Sequence, residues 1–130
     1  MLNAEVEEYL ESLNKSNEKR TVVLYGLAAH VCIKLTCFDL IRKGYKVYIV
    51  VDAVTSMNHS DRNVALEAMR VAGANLTTFQ SLVFELLRTL DHPCFREMLK
   101  IIKDKPDDPL DLHYFPSLYG EQVNDELNEN

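Results

Sequence analysis

The chain has 130 residues, of which 47% are hydrophobic and 26% charged, and its formal net charge is −6. This composition suits one soluble globular domain, and no apolar run approaches the ~18 residues of a membrane-spanning helix. Residues 104–130 hold eight acids and one lysine, whereas residues 1–103 hold thirteen bases and twelve acids. We therefore expect a domain over 1–103 and an acidic, flexible tail over 104–130. The near-neutral domain has no basic stripe, so neither nucleic acid nor a membrane is an expected partner.

The three cysteines, Cys32, Cys37 and Cys94, form no CxxC pair. Three unpaired thiols fit a reducing compartment, and the acidic residues 1–8 do not have the layout of a signal peptide. We expect a cytoplasmic protein, with a mitochondrial or peroxisomal location left open. Cys37 is interpreted as a small core residue and Cys94 as a structural residue at a helix start.

Hydrophobic periodicity predicts helices and strands in alternation. Residues 2–13 have apolar side chains at helical spacing and predict a short amphipathic helix. Thr21–Tyr25 is a continuous apolar run, as in a strand buried on both faces. Residues 30–43 predict a helix that is apolar on nearly all sides, which indicates burial or a subunit contact. Lys46–Val51 predicts a second buried strand, closed by Asp52.

The second half of the domain continues this alternation. Asn58 or Ser60 is expected to cap a third helix, and Gly73 ends that helix just after its C-cap. Residues 74–77 predict a short third strand, and Thr78 caps a fourth helix. The side chains predicted to face inward on the last three helices are Ala65, Ala68, Met69, Ala72, Leu82, Val83, Leu86, Leu87, Leu90, Phe95, Met98, Leu99 and Ile102.

The order of these elements predicts the fold class. Strands that alternate with helices form a parallel sheet with right-handed crossovers. We expect an α/β fold, a three-layer, Rossmann-like parallel sheet with about three strands and flanking helices. Pro93 suits the first position of the last helix. Within the tail, the aromatic segment 114–119 is a candidate docking patch.

Cys32 is the leading candidate for a functional residue. The first strand ends at Gly26, and Cys32 follows on the first turn of the next helix. In a parallel sheet this is the carboxyl edge, where ligands bind. The N–H groups at a helix N-terminus stabilise a thiolate, the reactive form of cysteine. Position and chemistry therefore both indicate a nucleophile.

The segment 26–40, with Cys32, Thr36 and Asp39 at their spacing, resembles the active-site segment of isochorismatase-like cysteine hydrolases. It is most similar to the animal isochorismatase domain-containing proteins, and the resemblance covers roughly residues 1–103. The further stretches that carry it are 44–53, 73–78, His92-Pro93, Phe95 and 101–103. The resemblance implies the isochorismatase-like fold and a cysteine that attacks the electrophilic carbon of an amide or enol-ether substrate.

The resemblance also implies roles for individual residues. Cys32 is the nucleophile, the backbone N–H groups of Ala28 and Cys32 form the oxyanion hole, and a cis peptide precedes Ala28. The family's aspartate base and lysine lie upstream of the cysteine, in segments without a counterpart here. We therefore expect a hydrolase segment with weak or no activity alone, acting on a small molecule if active. No cofactor and no metal is expected, since family members that bind metal use upstream residues.

Charged side chains before the first strand are poor substitutes for that triad. These side chains, which include Lys15, lie near the amino end of the strand, whereas Cys32 follows its carboxyl end. A strand of ~6 residues separates these edges by ~20 Å, and general base catalysis needs contact at ~3 Å. The acids excluded in this way are Glu5, Glu7, Glu8 and Glu11.

Two histidines and an aspartate are expected at the same edge as the thiol. In one interpretation His30 or His59 pairs with Cys32, and Asp52 orients the imidazole. In the plainer interpretation His30 is a turn residue and His59 an exposed helix-start residue. Asp52 then bonds nearby backbone N–H groups.

The first strand also suggests a different function. In the family, the strand matching 21–25 lies near the middle of six strands, whereas here it becomes an edge. An apolar, uncharged edge pairs readily with another chain. The alternative to a hydrolase is therefore a non-catalytic interaction module that pairs through strand 21–25, as a homo-oligomer or with a paralogue. A dinucleotide-binding half-fold is a third idea, against which the lack of GxGxxG argues.

Overall fold

The computed structural model describes residues 2–13 and 20–104, and helices and strands alternate there in the predicted order. The predicted tail beyond Asp104, with its docking patch, lies outside the described residues. No helix in the described ranges combines the length and hydropathy needed to cross a membrane. The elements are α1 (Ala4–Leu13), β1 (Thr21–Leu27), a π-helical turn (Ala29–Ile33) that continues into α2 (Lys34–Arg42), β2 (Lys46–Thr55), α3 (His59–Val71), β3 (Asn75–Thr77), α4 (Phe79–Leu87) and α5 (Phe95–Lys103).

The described strands form one parallel sheet in the order β1-β2-β3. This confirms the α/β class and the parallel pairing that the alternating pattern predicts. The strand β1 has a single neighbour in this sheet, β2, so it lies at an edge, as expected.

The pairing of β1 with β2 contains a register break. Leu24 pairs with Ile49, but Gly26 pairs with Val54, so one residue of β1 lies opposite four residues of β2. The sequence-based prediction that Asp52 closes β2 is wrong, because the strand resumes its pairing after this irregular stretch and ends at Thr55. Such irregularities bend a strand and re-aim the residues that follow.

The core lies on both faces of β2, as a three-layer fold requires. Side chains alternate across a strand, and Val47, Ile49 and Val51 all join the main buried cluster. Val50, between them, is buried on the opposite face, and α4 packs against the same strand. The further buried members of the main cluster are Ala29, Ile33, Cys37, Leu40, Val54, Ala65, Leu66, Met69 and Ala74.

The ends of α3 and α4 can be compared with the residues predicted to cap them. The hydroxyl of Thr78 accepts a hydrogen bond from the Ser81 N–H at 3.2 Å, which confirms the cap of α4. Gly73 has φ +107° just after α3, which confirms the expected left-handed position. Asn58 stands at the N-cap of α3, one of the two predicted positions, but its side chain makes no cap bond and donates instead to Asp61 at 2.9 Å.

The last helix begins two residues later than predicted. Pro93 precedes the N-cap residue Cys94, and α5 starts at Phe95. The predicted inward side chains of this helix are half-buried, and none is fully buried.

The buried side chains of α3 and α4 differ from those predicted. Ala72 is exposed, and so are Leu86 and Leu90. Leu90 is exposed because α4 ends at Leu87. Arg88 follows with φ 60°, so the apolar face of the helix does not extend to Leu90. On α3, Arg62 and Leu66 are buried although neither was predicted to be.

Candidate functional site

The turn that carries Cys32 follows directly from the carboxyl end of β1. Ala28 has extended backbone (φ −97°, ψ 134°), and its carbonyl accepts the N–H groups of both Val31 and Ile33 at 3.2 Å. The Leu27–Ala28 peptide is cis, as the family resemblance implies. Cys32 therefore lies on the first turn after the strand, at the edge of the sheet where α/β proteins bind ligands.

The thiol of Cys32 is exposed, while the turn itself is anchored in the core. Ala29 and Ile33, on either side of Cys32 in the turn, are buried in the main cluster. Val31 and Leu35 are exposed, so one side of this long helix is uncovered. The thiol can therefore meet an electrophile without any opening of the fold.

His30 contacts Ser56, the residue that follows β2. Its Nδ1 lies 2.8 Å from the Ser56 hydroxyl oxygen, and both side chains are partly buried. Residues two apart on a helix do not face each other, so this turn directs His30 and Cys32 to different sides. The role of His30 at the site stays a prediction, and its observed contact joins the turn to the end of β2. Sequence reasoning missed Ser56, because β2 was predicted to close at Asp52 whereas the observed strand ends at Thr55.

The carboxylate of Asp52 lies in the irregular stretch of β2. Its Oδ1 accepts the backbone N–H of Phe79, the first residue of α4, at 2.8 Å. The bond is of the kind that the plainer interpretation expects, but the donor is 27 residues away rather than nearby. His59 is exposed and is the first residue of α3. The supporting role of Asp52 toward an imidazole stays a prediction.

Arg62 is a buried cation that sequence reasoning missed. Its side chain is 5% exposed. Its Nε donates to the Val54 carbonyl at 3.0 Å, and its Nη2 donates to the Val51 carbonyl. Val51 lies within the irregular stretch of β2, and Val54 directly follows it. The helical spacing of Arg62 with Ala65 and Met69 placed it on the buried face of α3, which was the available signal.

The other two cysteines differ in environment. Cys37 is 0% exposed, and burial raises the pKa of its thiol from 9.0 to about 11. A thiol held protonated is a poor nucleophile. Cys94 is exposed at the start of α5. Within the described ranges, no group of three or more histidine, cysteine, aspartate or glutamate side chains is arranged to hold a metal ion.

The acidic helix α1 lies at the far end of α2 from the thiol. The Leu2 N–H donates to Asp39 at 3.2 Å, and the Glu7 carboxylate lies 3.4 Å from the Lys43 ammonium. Lys43 follows Cys32 by ~16 Å along the helix axis. These contacts agree with the expectation that Glu7 is remote from Cys32. The same expectation for Glu5, Glu8 and Glu11 stays a prediction, and Lys15 lies outside the described residues.

Comparisons with known proteins agree with this architecture. The sequence profile of the isochorismatase domain matches residues 1–81. Isochorismatase domain-containing protein 2 of Xenopus laevis is 41% identical over 122 residues, which are 92% of this chain and 58% of the relative. The solved structure described as MAR1 ribonuclease from Caenorhabditis elegans has a TM-score of 0.72 and 40% identity, and the match covers 85% of this chain and 55% of that one.

More distant structures share the fold. The Escherichia coli YcaC protein, described as an octameric hydrolase of unknown specificity, has a TM-score of 0.58 at 23% identity, with 76% of this chain and 54% of that chain covered. The chain spans about half the length of the curated relatives that it matches. On the profile match and these identities, the chain belongs to the isochorismatase domain family.

Proposed function

We propose that this chain is an isochorismatase-like hydrolase segment in which Cys32 is the nucleophile. The observation that carries the proposal is the exposed thiol on the turn after β1, in a chain of this family. The backbone N–H groups of Ala28 and Cys32 are the proposed oxyanion donors. The near balance of thirteen bases and twelve acids in residues 1–103 favours a small, uncharged substrate over RNA.

The proposed reaction is acyl transfer to sulfur. The Cys32 thiolate attacks the carbonyl carbon of an amide, the C–S bond forms, and the carbonyl electron pair moves to oxygen, where backbone N–H groups bind it. Collapse of this intermediate breaks the C–N bond, and the leaving amine takes up a proton. Water then hydrolyses the thioester, which releases the acid and restores the thiol.

We further propose that the chain by itself is weakly active or inactive. A general base must lie within ~3 Å of the proton that it abstracts, or be linked to it by one water. The Glu7 carboxylate of α1 lies 3.4 Å from the Lys43 ammonium at the far end of α2, so it does not supply that base. By resemblance, the aspartate and lysine of the family triad belong to segments upstream of the cysteine.

The test separates the nucleophile from overall activity. The purified chain is incubated with p-nitrophenyl acetate and with nicotinamide, and acyl adducts are mapped by mass spectrometry after an acid quench. We expect acetylation at Cys32 and loss of any turnover by at least about a hundredfold in Cys32→Ser. Cys94→Ser is the matched control, because Cys94 is also an exposed thiol at a helix start. Equal acetylation of Cys94 and Cys32 contradicts the proposal, and so does a measurable turnover of the unsubstituted chain that is unchanged in Cys32→Ser.

The edge strand supports a second candidate, a non-catalytic interaction module. Tyr25 and Leu27, both on β1, are each 71% exposed, and the strand contains no charged residue. A second copy of this chain is the proposed occupant, because two uncharged edges meet without like-charge repulsion.

Mass measurement tests this candidate. Light scattering on a size-exclusion column is expected to show a mass that rises with concentration, and Tyr25→Lys is expected to restore the monomer. Leu86→Lys is the control, since Leu86 is also 71% exposed but lies on α4. A monomer at all concentrations contradicts self-association. A complex that forms only with a paralogue would show that the partner at this edge is the paralogue and not a second copy.

A further inference from the structure

The irregular stretch of β2 has no partners in the pairing with β1. Residues 50–53 lie between the positions that pair with Leu24 and Gly26. A buried carbonyl that leaves a ladder needs another donor. Arg62 supplies donors to Val51 within this stretch and to Val54 at its end.

The guanidinium of Arg62 suits this task better than any other side chain. Its planar fork presents several N–H donors in fixed directions, so one side chain can bind two carbonyls three residues apart. Burial of Arg62 at 5% exposure excludes most of the water that would otherwise compete for those carbonyls. The contact therefore fixes the separation of the Val51 carbonyl, inside the irregular stretch, from the Val54 carbonyl, just after it.

A short series of contacts leads from Arg62 to the turn of Cys32. Val54, one of the two acceptors, pairs with Gly26, and the next residue, Thr55, pairs with Leu27. Ser56 then contacts His30 at 2.8 Å. The helix α3, which carries Arg62, also packs against the π-helical turn itself. The guanidinium is thus linked to the turn both through β2 and through its own helix.

We propose that Arg62 is a positioning residue for Cys32. By binding the Val51 and Val54 carbonyls, it holds the end of β2 where Ser56 and the last pairs of the ladder fix the Cys32 turn. The significance for catalysis rests on the proposed role of Cys32 as a nucleophile. The positioning itself can be measured without any substrate.

The experiment compares two substitutions of Arg62 with two controls on the same helix. Arg62→Ala removes both bonds, whereas Arg62→Lys keeps the charge but has one donor group that cannot span both carbonyls. Leu66→Ala is the control for stability, because Leu66 is 0% exposed and its truncation destabilises the core. Arg70→Ala is the control for charge, since Arg70 forms an exposed pair with Glu67.

Two readouts report on the turn. Hydrogen exchange by NMR follows the amides of Val31 and Ile33, which bond the Ala28 carbonyl. Alkylation by iodoacetamide compares Cys32 with Cys94 in the folded protein. In each variant, the exchange rate of these two amides is divided by the rate of the β3 amides. We expect this ratio to be at least about tenfold higher in both Arg62 variants than in Leu66→Ala. We also expect the ratio of Cys32 to Cys94 alkylation rates to fall at least about threefold, because a loosened turn no longer presents the Cys32 thiol to the reagent in one fixed orientation.

The outcomes separate positioning from general stability. If Arg62 only stabilises the fold, all amides accelerate together, as in Leu66→Ala, and the alkylation ratio is unchanged or higher; either result overturns the proposal. If Arg62→Ala does not fold, Arg62→Lys decides the question by the same measurements. Failure of Cys32 to form an acyl adduct would contradict the proposed function and would leave both readouts interpretable.

Discussion

The imidazole of His30 lies 2.8 Å from the hydroxyl of Ser56, and this contact joins the turn of Cys32 to the residue after β2. The two residues are 26 positions apart in the sequence. The orientation of the turn therefore depends on where β2 ends as well as on its own helical geometry.

Removal of the Ser56 hydroxyl is expected to destabilise this junction. Ser56→Ala should lower the free energy of unfolding by about 1 kcal/mol, because a partly buried imidazole loses its hydrogen-bond partner. Urea denaturation followed by circular dichroism measures the change. Ser60→Ala is the control, since Ser60 is exposed on the first turn of α3. An equal effect of the two substitutions would show that the contact contributes nothing to stability.

The Asp52 carboxylate is expected to stabilise the start of α4. Asp52→Ala should cost about 2 kcal/mol, because the Phe79 N–H loses an ionised acceptor at a helix N-terminus. Asp52→Asn keeps an acceptor oxygen and should cost less. Both values come from chemical denaturation, with the exposed Asp91→Asn as a control. Indistinguishable stabilities of Asp52→Ala and Asp91→Asn would contradict this assignment.

The N-cap of α4 gives a local prediction with a conservative control. Thr78→Ala should lower the free energy of unfolding by about 1 kcal/mol, because the Ser81 N–H loses its side-chain acceptor. Thr78→Ser keeps the hydroxyl and should stay close to the unsubstituted protein. Thermal denaturation of the three proteins checks the order, and a Ser variant as unstable as the Ala variant would show that the lost methyl group, not the cap, matters.

Burial of Cys37 predicts a loss of stability in alkali. The folded protein keeps the Cys37 proton up to about pH 11, whereas the unfolded thiol releases it near 9.0. Between these values the folded state binds more protons than the unfolded state, so stability falls as pH rises. The contribution is fully present below pH 9, and the decline from this group ends above about pH 11.

Cys37→Ala isolates this titration from that of the tyrosines. The difference in free energy of unfolding between the unsubstituted protein and Cys37→Ala is expected to shrink as pH rises through this window, at up to roughly 1.4 kcal/mol per unit of pKa shift. Denaturation in urea over a pH series measures it. A difference that stays constant with pH would mean that the Cys37 thiol titrates alike in both states.

Local patterns were read correctly where the deciding partners are close in the sequence. The hydroxyl of Thr78 bonds a residue three positions on, and Gly73 ends α3 by its own backbone freedom. Cys37 was assigned to the core from the apolar pattern of its helix, and it is buried. The exposed Cys32 agrees with a position on the first turn after β1.

Predictions failed where a distant partner decides. The sequence pattern predicts that Asp52 closes β2, but the strand continues to Thr55. The Arg62 guanidinium, on α3, binds the Val51 and Val54 carbonyls of this part of the strand. The His30–Ser56 contact was not predicted, because no local pattern connects these residues.

Periodicity, turn residues and the strand-turn-cysteine-helix pattern were enough to predict the parallel α/β fold and the candidate nucleophile. These features follow from side-chain spacing along the chain, which the sequence states directly. The tertiary structure decided the register of β2, the burial of Arg62 and the partners of His30 and Asp52. These features depend on which backbone groups have no partner in the sheet, because a buried carbonyl without such a partner binds a donor from another element that packs against it.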